Sequence, residues 1–509
     1  MSYIVEQKIN GRIYLYEAES YWDKEKKQPR QRRKYLGVKD PKTGAPKTPR
    51  KGVAPKAVLD FGDVWLMRKL AEKTGVMEVL EKAFDDDGRK LFDLACYDAL
   101  TDKGFHLYRE WAETSWGVNE ELRTSQDISR LFSELDERSI GCFQKLWLRK
   151  HGKRKALAFD ITSISSYSDG MFDVEWGHNR DGETLPQINL GLAVNCESGV
   201  PVSYRTYPGS IPDVKVLKRL VKDFSEQCVL SEIILDRGFH SSENLRTLRE
   251  TGVDVLLSVP FNAKHAKTAL KTRKLSSAAN AFVFNKRTLF HAARRVSVSG
   301  GKYDIHLYYD EERKTREMSR FFNKVSLVEK NFEGVEFADS SDLKNEIERF
   351  SFGMSKYFKL SVAGGVASLE RDVEKMDERV GRMGKMLLLS SKLDRNAEEV
   401  LSSYYRRDLT EKYFDALKNK MGNDRLRTSS DKTARSRMFV AMLGLIIHSA
   451  LHAAWSRSKL KDKYSMTKIL AIMKPLKAVE RSDGKRILTE ISKKQREVMK
   501  ELGLTPPVL

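Results

Sequence analysis

The sequence predicts a multidomain α/β protein whose central core is interrupted by a β-rich insertion. Short apolar strand patterns alternate with helical patterns before position 260, and a helical pattern resumes near position 396. Such alternation is typical of α/β folds, and 509 residues are enough for several domains. We divide the chain into 1–50 (a small β-rich N-terminal segment), 51–150 (helical), 151–260 (first part of the core), 261–395 (β-rich basic insertion), 396–456 (second part of the core) and 457–509 (C-terminal tail).

The N-terminal segment is predicted to form strands. YIVEQKI and RIYLYEAESYW are joined at Asn10-Gly11, a dipeptide that favours hairpin turns. The stretch Lys24–Lys34 is heavily basic; a solvated hairpin tip is the default interpretation, and contact with a polyanion is the alternative. Pro41–Pro55, with two glycines and several lysines, is predicted to be a linker.

Helical spacing of apolar residues begins at Phe61 and continues to about Lys150. Three segments carry it, and Ser125 opens the last. They are VWLMRKLAEKTGVMEVLEKAF, KLFDLACYDAL and DISRLFSELDERSIGCFQKLWLRK.

The first part of the core has the predicted order β-β-β-α-β-α-β, with helices at Asp213–Phe224 and Ser241–Glu250. Its strands are ALAF, INLGLAVN, PVSYRTY, EIIL and VDVLLSVP. Asp160 ends the first strand and Asp236 ends the fourth. Sites in open α/β sheets lie beyond the carboxyl ends of strands, so we expect both carboxylates at one edge. A single strand-end aspartate is more often a turn residue or a helix cap.

Tyr404, Arg407, Glu411 and Lys418 follow the spacing Y-x2-R-x3-E-x6-K. On a regular helix these positions fall within about 60° of one another, so one face would carry a carboxylate beside a phenol and two cations. The alternative is a solvated helix with charge pairs four residues apart. That alternative leaves the two strand-end aspartates unexplained.

The insertion begins with a basic run. Ten Lys or Arg and no Asp or Glu lie between Pro260 and Tyr303, including Arg287, Arg294 and Arg295. AFVFN, VSVSG and DIHLYY are its strand-like segments. The run predicts either a surface that follows a polyanion or a solvated basic loop, and we favour the first.

Composition supports a polyanionic partner. The net charge is +21 and the isoelectric point is about 9.5. Such an excess of positive charge favours nucleic acid, but a protein that binds the ribosome or an anionic membrane could have the same charge. The four cysteines are widely separated and form no C-x-x-C pair, so we expect reduced thiols and no zinc site. The N-terminus lacks the pattern of a signal peptide.

One stretch, Met438–Trp455, carries no formal charge over 18 residues, which reaches the length of a membrane span. We predict a buried helix instead, because the stretch directly follows the Glu411 segment and contains polar residues. His448 and His452 lie four residues apart; without a neighbouring carboxylate we expect core or helix-face histidines rather than metal ligands.

Several segments of the sequence resemble a known protein family. FDITSISSYS, GHNRDGETLPQINLGLAVNCESGVPVSYRTYPGSIPD, ILDRGFHSSENLRTLRETGVDVLLSVP and the Glu411 segment resemble bacterial DDE transposases of the insertion-sequence-four superfamily, whose hallmark is the Tyr-Arg-Glu-Lys spacing. The similarity is strongest over 156–260 and 396–456. It implies an RNase H-like core, Asp160, Asp236 and Glu411 as the catalytic and metal-binding triad, and two Mg²⁺ ions for which Mn²⁺ can substitute.

The resemblance also implies cut-and-paste transposition by a homodimer on DNA ends and target DNA, in the bacterial cytoplasm and nucleoid and without a membrane. Helices in 51–150 would bind the ends, and DNA contacts are expected from Tyr404, Arg407, Lys418, Arg237, Arg287, Arg294 and Arg295. Relatives often carry a base-stacking tryptophan in the insertion, and this chain has none between Trp176 and Trp455. The alternatives are a non-catalytic DNA-binding descendant and an RNase H-like nuclease without joining activity.

Overall fold

The computed structural model describes residues 2–9, 12–41, 43–47, 55–118, 121–122, 124–168, 170–211, 216–218, 220–221, 224, 230–271 and 275–509. Outside them lie the predicted turn at Asn10-Gly11, most of the predicted linker, half of the predicted helix Asp213–Phe224, and Cys228. Cys96, Cys142 and Cys196 are free thiols. The chain divides into two compact units, Met1–Leu59 with Lys477–Glu490 and Pro507–Leu509, and Asp60–Leu476 with Ile491–Pro506.

The strands of the described residues are β1 (Ser2–Ile9), β2 (Arg12–Asp23), β3 (Gln28–Lys39), β4 (Pro46–Lys47), β5 (Pro55–Asp60), β6 (Ala156–Ser165), β7 (Gln187–Asn195), β8 (Pro201–Pro208), β9 (Glu232–Leu235), β10 (Asp254–Ser258), β11 (Ala281–Phe284), β12 (Arg287–Val298), β13 (Gly301–Tyr309), β14 (Phe358–Ala363), β15 (Val366–Arg371), β16 (Lys385–Ser390), β17 (Lys477–Arg481) and β18 (Arg486–Leu488).

The α-helices of the described residues are α1 (Gly62–Glu72), α2 (Val76–Phe84), α3 (Asp87–Leu100), α4 (Tyr108–Thr114), α5 (Ser125–Glu134), α6 (Glu137–Gly152), α7 (Ser242–Glu250), α8 (Lys264–Leu270), α9 (Glu311–Phe332), α10 (Ser340–Phe350), α11 (Val373–Arg382), α12 (Ala397–Tyr405), α13 (Asp408–Asp415), α14 (Asp431–Arg457), α15 (Met466–Met473) and α16 (Lys493–Glu501). A π-helix covers Ala416–Lys420.

The smaller unit contains two sheets. One is antiparallel, in the order β1-β2-β3-β4, and the other has the order β18-β17-β5. Tyr35 lies 5.5 Å from Tyr16 and 6.2 Å from Tyr14 between ring centroids, and Leu15 and Ala18 are buried beside them. Most other side chains of β1–β3 are exposed, so this sheet has only a thin apolar core.

A nine-stranded sheet forms the centre of the larger unit, in the order β11-β12-β13-β16-β10-β9-β6-β7-β8. The strands β6, β9 and β10 run parallel, and β7 and β8 add antiparallel strands beside β6. Every residue of β9, EIIL, is buried, as expected for a parallel strand covered on both faces. The element order is the predicted one for the described residues; its assignment to the RNase H-like class stays a prediction.

The segment 261–395 differs from the predicted β-rich insertion. Its strands β11–β13 and β16 extend the central sheet beside β10, because apolar side chains such as Ile305 and Leu389 join the main core. The part that leaves the sheet is mainly helical: α9, α10 and α11 enclose the hairpin β14–β15. It has a core of its own, which includes Phe321, Val325 and Ile347.

The predicted helical domain 51–150 is not a separate compact body. Its helices α1–α6 belong to the same unit as the central sheet, and α1, α3 and α5 pack against α14. The Phe439 ring of α14 lies 5.2 Å from both Phe84 and Phe143. The most apolar 18-residue window of α14 is 78% buried, so this helix, although long enough to cross a membrane, is a core helix here. That agrees with the predicted buried helix.

The two histidines of α14 should make the stability of the fold decrease in acid. Burial lowers the pKa of both His448 and His452 to about 4. The positive charges of Lys420 and His452 lower the pKa of His448 further, while Asp415 raises it. Lys412 and Lys420 act in the same direction as burial at His452. Between pH 6.5 and 4 the unfolded chain therefore binds more protons. Each histidine makes the free energy of unfolding fall by up to about 1.4 kcal/mol per pH unit as pH decreases.

We expect His448→Gln to flatten this pH dependence in urea unfolding measured from pH 7 to pH 4.5. The matched control is His106→Gln at an exposed position. If the free energy of unfolding of the His448 variant depends on pH as steeply as that of the wild-type protein, His448 is not a buried, neutral histidine.

Candidate active site

Asp160 lies within a strand rather than at its end. The apolar run ALAF predicts a strand that ends at Asp160, but β6 continues to Ser165, because Ile161 and Ile164 are buried and the strand pairs with β7 over Leu157–Ser165. The parallel pairing of β6 with β9, however, stops at Ala158. Asp160 therefore still lies just beyond the end of the parallel part of the sheet.

Asp236 occupies the predicted position at the neighbouring strand. It directly follows β9 and precedes a 3₁₀ turn over Arg237–Phe239. The Tyr404 hydroxyl donates a hydrogen bond to Asp236 Oδ1 at 3.3 Å. The structure thus brings Asp236 together with the first residue of the Y-x2-R-x3-E-x6-K spacing.

That spacing is not carried by one regular helix, in contrast to the prediction. Tyr404 belongs to α12, Glu411 belongs to α13, and Arg407 lies in the turn between them. Lys418 lies in the π-helix, where the added residue per turn rotates the side chains that follow. Lys418 consequently faces Asp181, with Nζ 2.6 Å from its carboxylate, instead of joining the other three residues.

Arg407 connects two of the predicted triad carboxylates. Its Nη1 lies 3.0 Å from Asp160 Oδ2 and its Nη2 lies 2.7 Å from Glu411 Oε1. The guanidinium also lies 5.6 Å from the centroid of the Tyr404 ring. Its side chain is 11% exposed, so the charge is compensated by ion pairs with little help from solvent.

Burial governs the electrostatics of this edge. It raises the pKa of the Asp160 carboxyl to about 6, with a further rise from the negative charge of Asp236, while Arg407 opposes the shift. Burial also raises the pKa of the Tyr404 phenol to about 12, so this phenol stays a hydrogen-bond donor at neutral pH. A desolvated carboxylate beside a second one favours a cation as its neighbour.

The donor set fits a hard divalent cation. Asp160, Asp236 and Glu411 supply carboxylate oxygens, which Mg²⁺ and Mn²⁺ prefer. Within the described ranges, no three His, Cys, Asp or Glu side chains converge closely enough to enclose an ion. At this edge, Arg407 stands between Asp160 and Glu411. The Glu411 side chain is 58% exposed and has room to rotate.

A second charged network was not predicted from the sequence. Arg425 binds Glu183 through two bonds of 2.8 and 2.5 Å, and its guanidinium lies 5.6 Å from the Tyr167 ring. Together with the Lys418–Asp181 pair, this network joins the β6–β7 connection to the segment that follows Glu411. Asp181 and Glu183 lie in the quoted motif GHNRDGETLPQ, which was the available signal.

The sequence matches the family model described as "Transposase DDE domain" over residues 151–447, more than half of the chain. This range contains Asp160, Asp236 and Glu411. The chain belongs to the DDE transposase domain family. DDE transposase domains use divalent metal ions, which agrees with the donor set at this edge.

Two further comparisons add little to this assignment. No curated protein matches the sequence. A solved structure, the cryo-EM structure of the piggyBac transposase synaptic complex with hairpin DNA, is similar at a TM-score of 0.37 and 11% identity, covering 80% of this chain and 70% of that one.

The basic residues predicted to contact DNA have different surroundings in this transposase domain. Arg287 pairs with Asp310 at 3.1 Å, and Arg295 pairs with Asp304 at 2.9 Å and Asp394 at 2.7 Å. The acid-free run is therefore partly neutralised by acids that come later in the chain. The exposed side chains of Arg237 and Arg294 have no ion pair within the described part of the chain. Their role in DNA contact stays a prediction, as does that of Arg287 and Arg295.

Proposed function

We propose that this protein catalyses metal-dependent DNA cleavage at the ends of an insertion sequence and joins those ends to target DNA by cut-and-paste transposition. The observation that carries the proposal is the arrangement of Asp160, Asp236 and Glu411 around Arg407 at one edge of the central sheet, inside the matched transposase domain. Two carboxylates at the end of parallel strands, with a third on the neighbouring helix α13, suit phosphodiester chemistry with hard divalent ions.

In this proposal Asp160, Asp236 and Glu411 hold two Mg²⁺ ions, for which Mn²⁺ can substitute. When bound, such ions activate the attacking oxygen and stabilise the leaving oxygen of the phosphodiester. The hydroxyl of Tyr404 orients the Asp236 carboxylate through its hydrogen bond. Arg407 balances the charges of Asp160 and Glu411 and has planar donors suited to a DNA phosphate.

The remaining assignments belong to the same proposal. The partners are double-stranded DNA at the terminal repeats and in the target, and a second copy of this chain, because one active site per end requires two subunits. Lys418 and Arg237 contact phosphates beside the cut. The resemblance further suggests an RNase H-like core, membership of the insertion-sequence-four superfamily, a hairpin intermediate and action at the bacterial nucleoid.

A strand-transfer assay tests this function. The wild-type protein is incubated with a supercoiled target plasmid, Mg²⁺ and an end duplex copied from the terminal repeat that flanks the gene. We expect joined products, and we expect none with an otherwise identical duplex whose transferred strand ends in a 3′-dideoxynucleotide, because that end lacks the attacking hydroxyl. Cleavage without joining would identify a nuclease, and binding without either reaction would identify a non-catalytic DNA-binding protein.

A further inference from the structure

The hairpin of β2 and β3 extends beyond the rest of its sheet. β1 pairs with β2 only as far as Glu19, which lies opposite Ser2. From Ser20 to Gln31 the described residues contain two paired strands and their connecting turn, with no third strand on either edge. We call the stretch Ser20–Lys34 the basic ribbon.

The basic ribbon is strongly cationic. Seven of the eleven residues from Lys24 to Lys34 are Lys or Arg, and one is acidic. Every residue of this stretch is exposed. Arg30 forms an ion pair with Asp23 at 3.4 Å, which neutralises only one of these charges. Four of the seven cations lie on the part that is two strands wide, and the other three lie directly beside it, where β1 begins to pair with β2. A positive potential therefore concentrates at this end of the sheet.

Its cations point to both faces. Successive side chains alternate along a strand, so Arg30, Arg32 and Lys34 lie on one face of β3 and Arg33 lies on the other. A flat phosphate surface would use only one of these faces. A groove between two phosphate backbones would use both.

The ribbon also carries exposed aromatic side chains. Trp22 is 61% exposed and Tyr21 is 43% exposed, and the Arg32 guanidinium lies 5.6 Å from the Tyr21 ring centroid. Two-stranded hairpins without a packed face are marginally stable in water. Large rings exposed to this extent on such a hairpin suit contact with a partner.

We propose that the basic ribbon enters the major groove of duplex DNA and places its arginines against the phosphates on both sides. The major groove is about 12 Å wide and about 8.5 Å deep and admits a two-stranded ribbon. The paired part from Ser20 to Asp23 spans about 13 Å at about 3.3 Å per residue, which exceeds the groove depth. This inference rests on the proposed function, which identifies the bound DNA as the ends of the element.

The first test is end binding by the full-length chain with Arg30→Ala, Arg32→Ala and Arg33→Ala combined. We expect the Kd for end duplex at about 0.15 M salt to rise at least tenfold. We also expect the slope of log K against log salt to become shallower by about two to three units, at about 0.9 per lost phosphate contact. The matched control removes three charges from an exposed helix, with Lys493→Ala, Lys494→Ala and Lys500→Ala, and should change both quantities much less.

The second measurement does not depend on a variant. Thymines of the end duplex are replaced one at a time by 5-bromodeoxyuridine, whose bromine lies in the major groove, and light-induced cross-links are mapped on the wild-type chain. We expect cross-links to peptides containing Tyr21 or Trp22. Wild-type affinity and slope in the triple variant, or cross-links that never include the ribbon, would overturn the proposal.

The outcomes separate this inference from the proposed function. If the triple variant loses DNA binding while the wild-type protein neither cleaves nor joins DNA, the ribbon binds DNA and the transposase proposal fails. If the wild-type protein joins ends and the triple variant binds and joins them equally well, the transposase proposal stands and the ribbon does not bind DNA.

Discussion

Asp160→Asn, Asp236→Asn and Glu411→Gln are each expected to slow end cleavage at least about a thousandfold in Mg²⁺. Each change removes one charged oxygen ligand while keeping the side chain's shape, and a thousandfold loss corresponds to about 4 kcal/mol of transition-state stabilisation. Single-turnover cleavage of a labelled end duplex measures the effect. Asp415→Asn, one turn beyond Glu411 on the same helix and also exposed, is the matched control and should cleave at a near wild-type rate.

End binding distinguishes a lost ligand from a lost fold in these variants. Metal ligands act mainly on the transition state, so the three variants should bind end duplex with nearly wild-type affinity. A variant that cleaves normally would show that the substituted residue is not part of the triad. A variant that no longer binds DNA would point to misfolding, which circular dichroism would show.

The second large effect concerns the core helix α14. Phe439→Ala is expected to lower the free energy of unfolding by about 3–5 kcal/mol, because the buried ring packs between Phe84 and Phe143 and its loss leaves a cavity. Urea unfolding followed by circular dichroism measures this. Phe352→Ala, at a ring that is 91% exposed, should change stability by less than about 0.5 kcal/mol. Equal effects in both variants would contradict the placement of α14 in the core.

The sequence predicted the positions of the carboxylates well, for physical reasons. A short apolar run with β-branched residues, such as EIIL, is typical of a buried strand, and the polar residue that follows is then placed at a sheet edge. The boundary at Asp160 was wrong because ITSIS after it contains serine and threonine, which usually indicate a loop. Those hydroxyls are buried and bonded instead, for example from Ser165 to Glu183.

The errors elsewhere came from contacts distant in sequence. The basic run 260–303 has no acid of its own. The pairing of β12 with β13 brings Asp304 to Arg295, and the turn after β16, which pairs with β13, brings Asp394. Likewise, the helical wheel through Lys418 assumed uniform geometry. The π-helix at Ala416–Lys420 breaks that assumption and turns Lys418 toward Asp181. Local spacing contains no information on either pairing.

The most direct test of the central claim is the position of metal ions in crystals of the protein bound to end DNA in Mn²⁺. Anomalous scattering locates manganese independently of the protein coordinates. We expect anomalous peaks bounded by the carboxylates of Asp160, Asp236 and Glu411, with Arg407 displaced from at least one of them. Peaks held by other residues in crystals of cleavage-competent protein, with none at these three carboxylates, would contradict it.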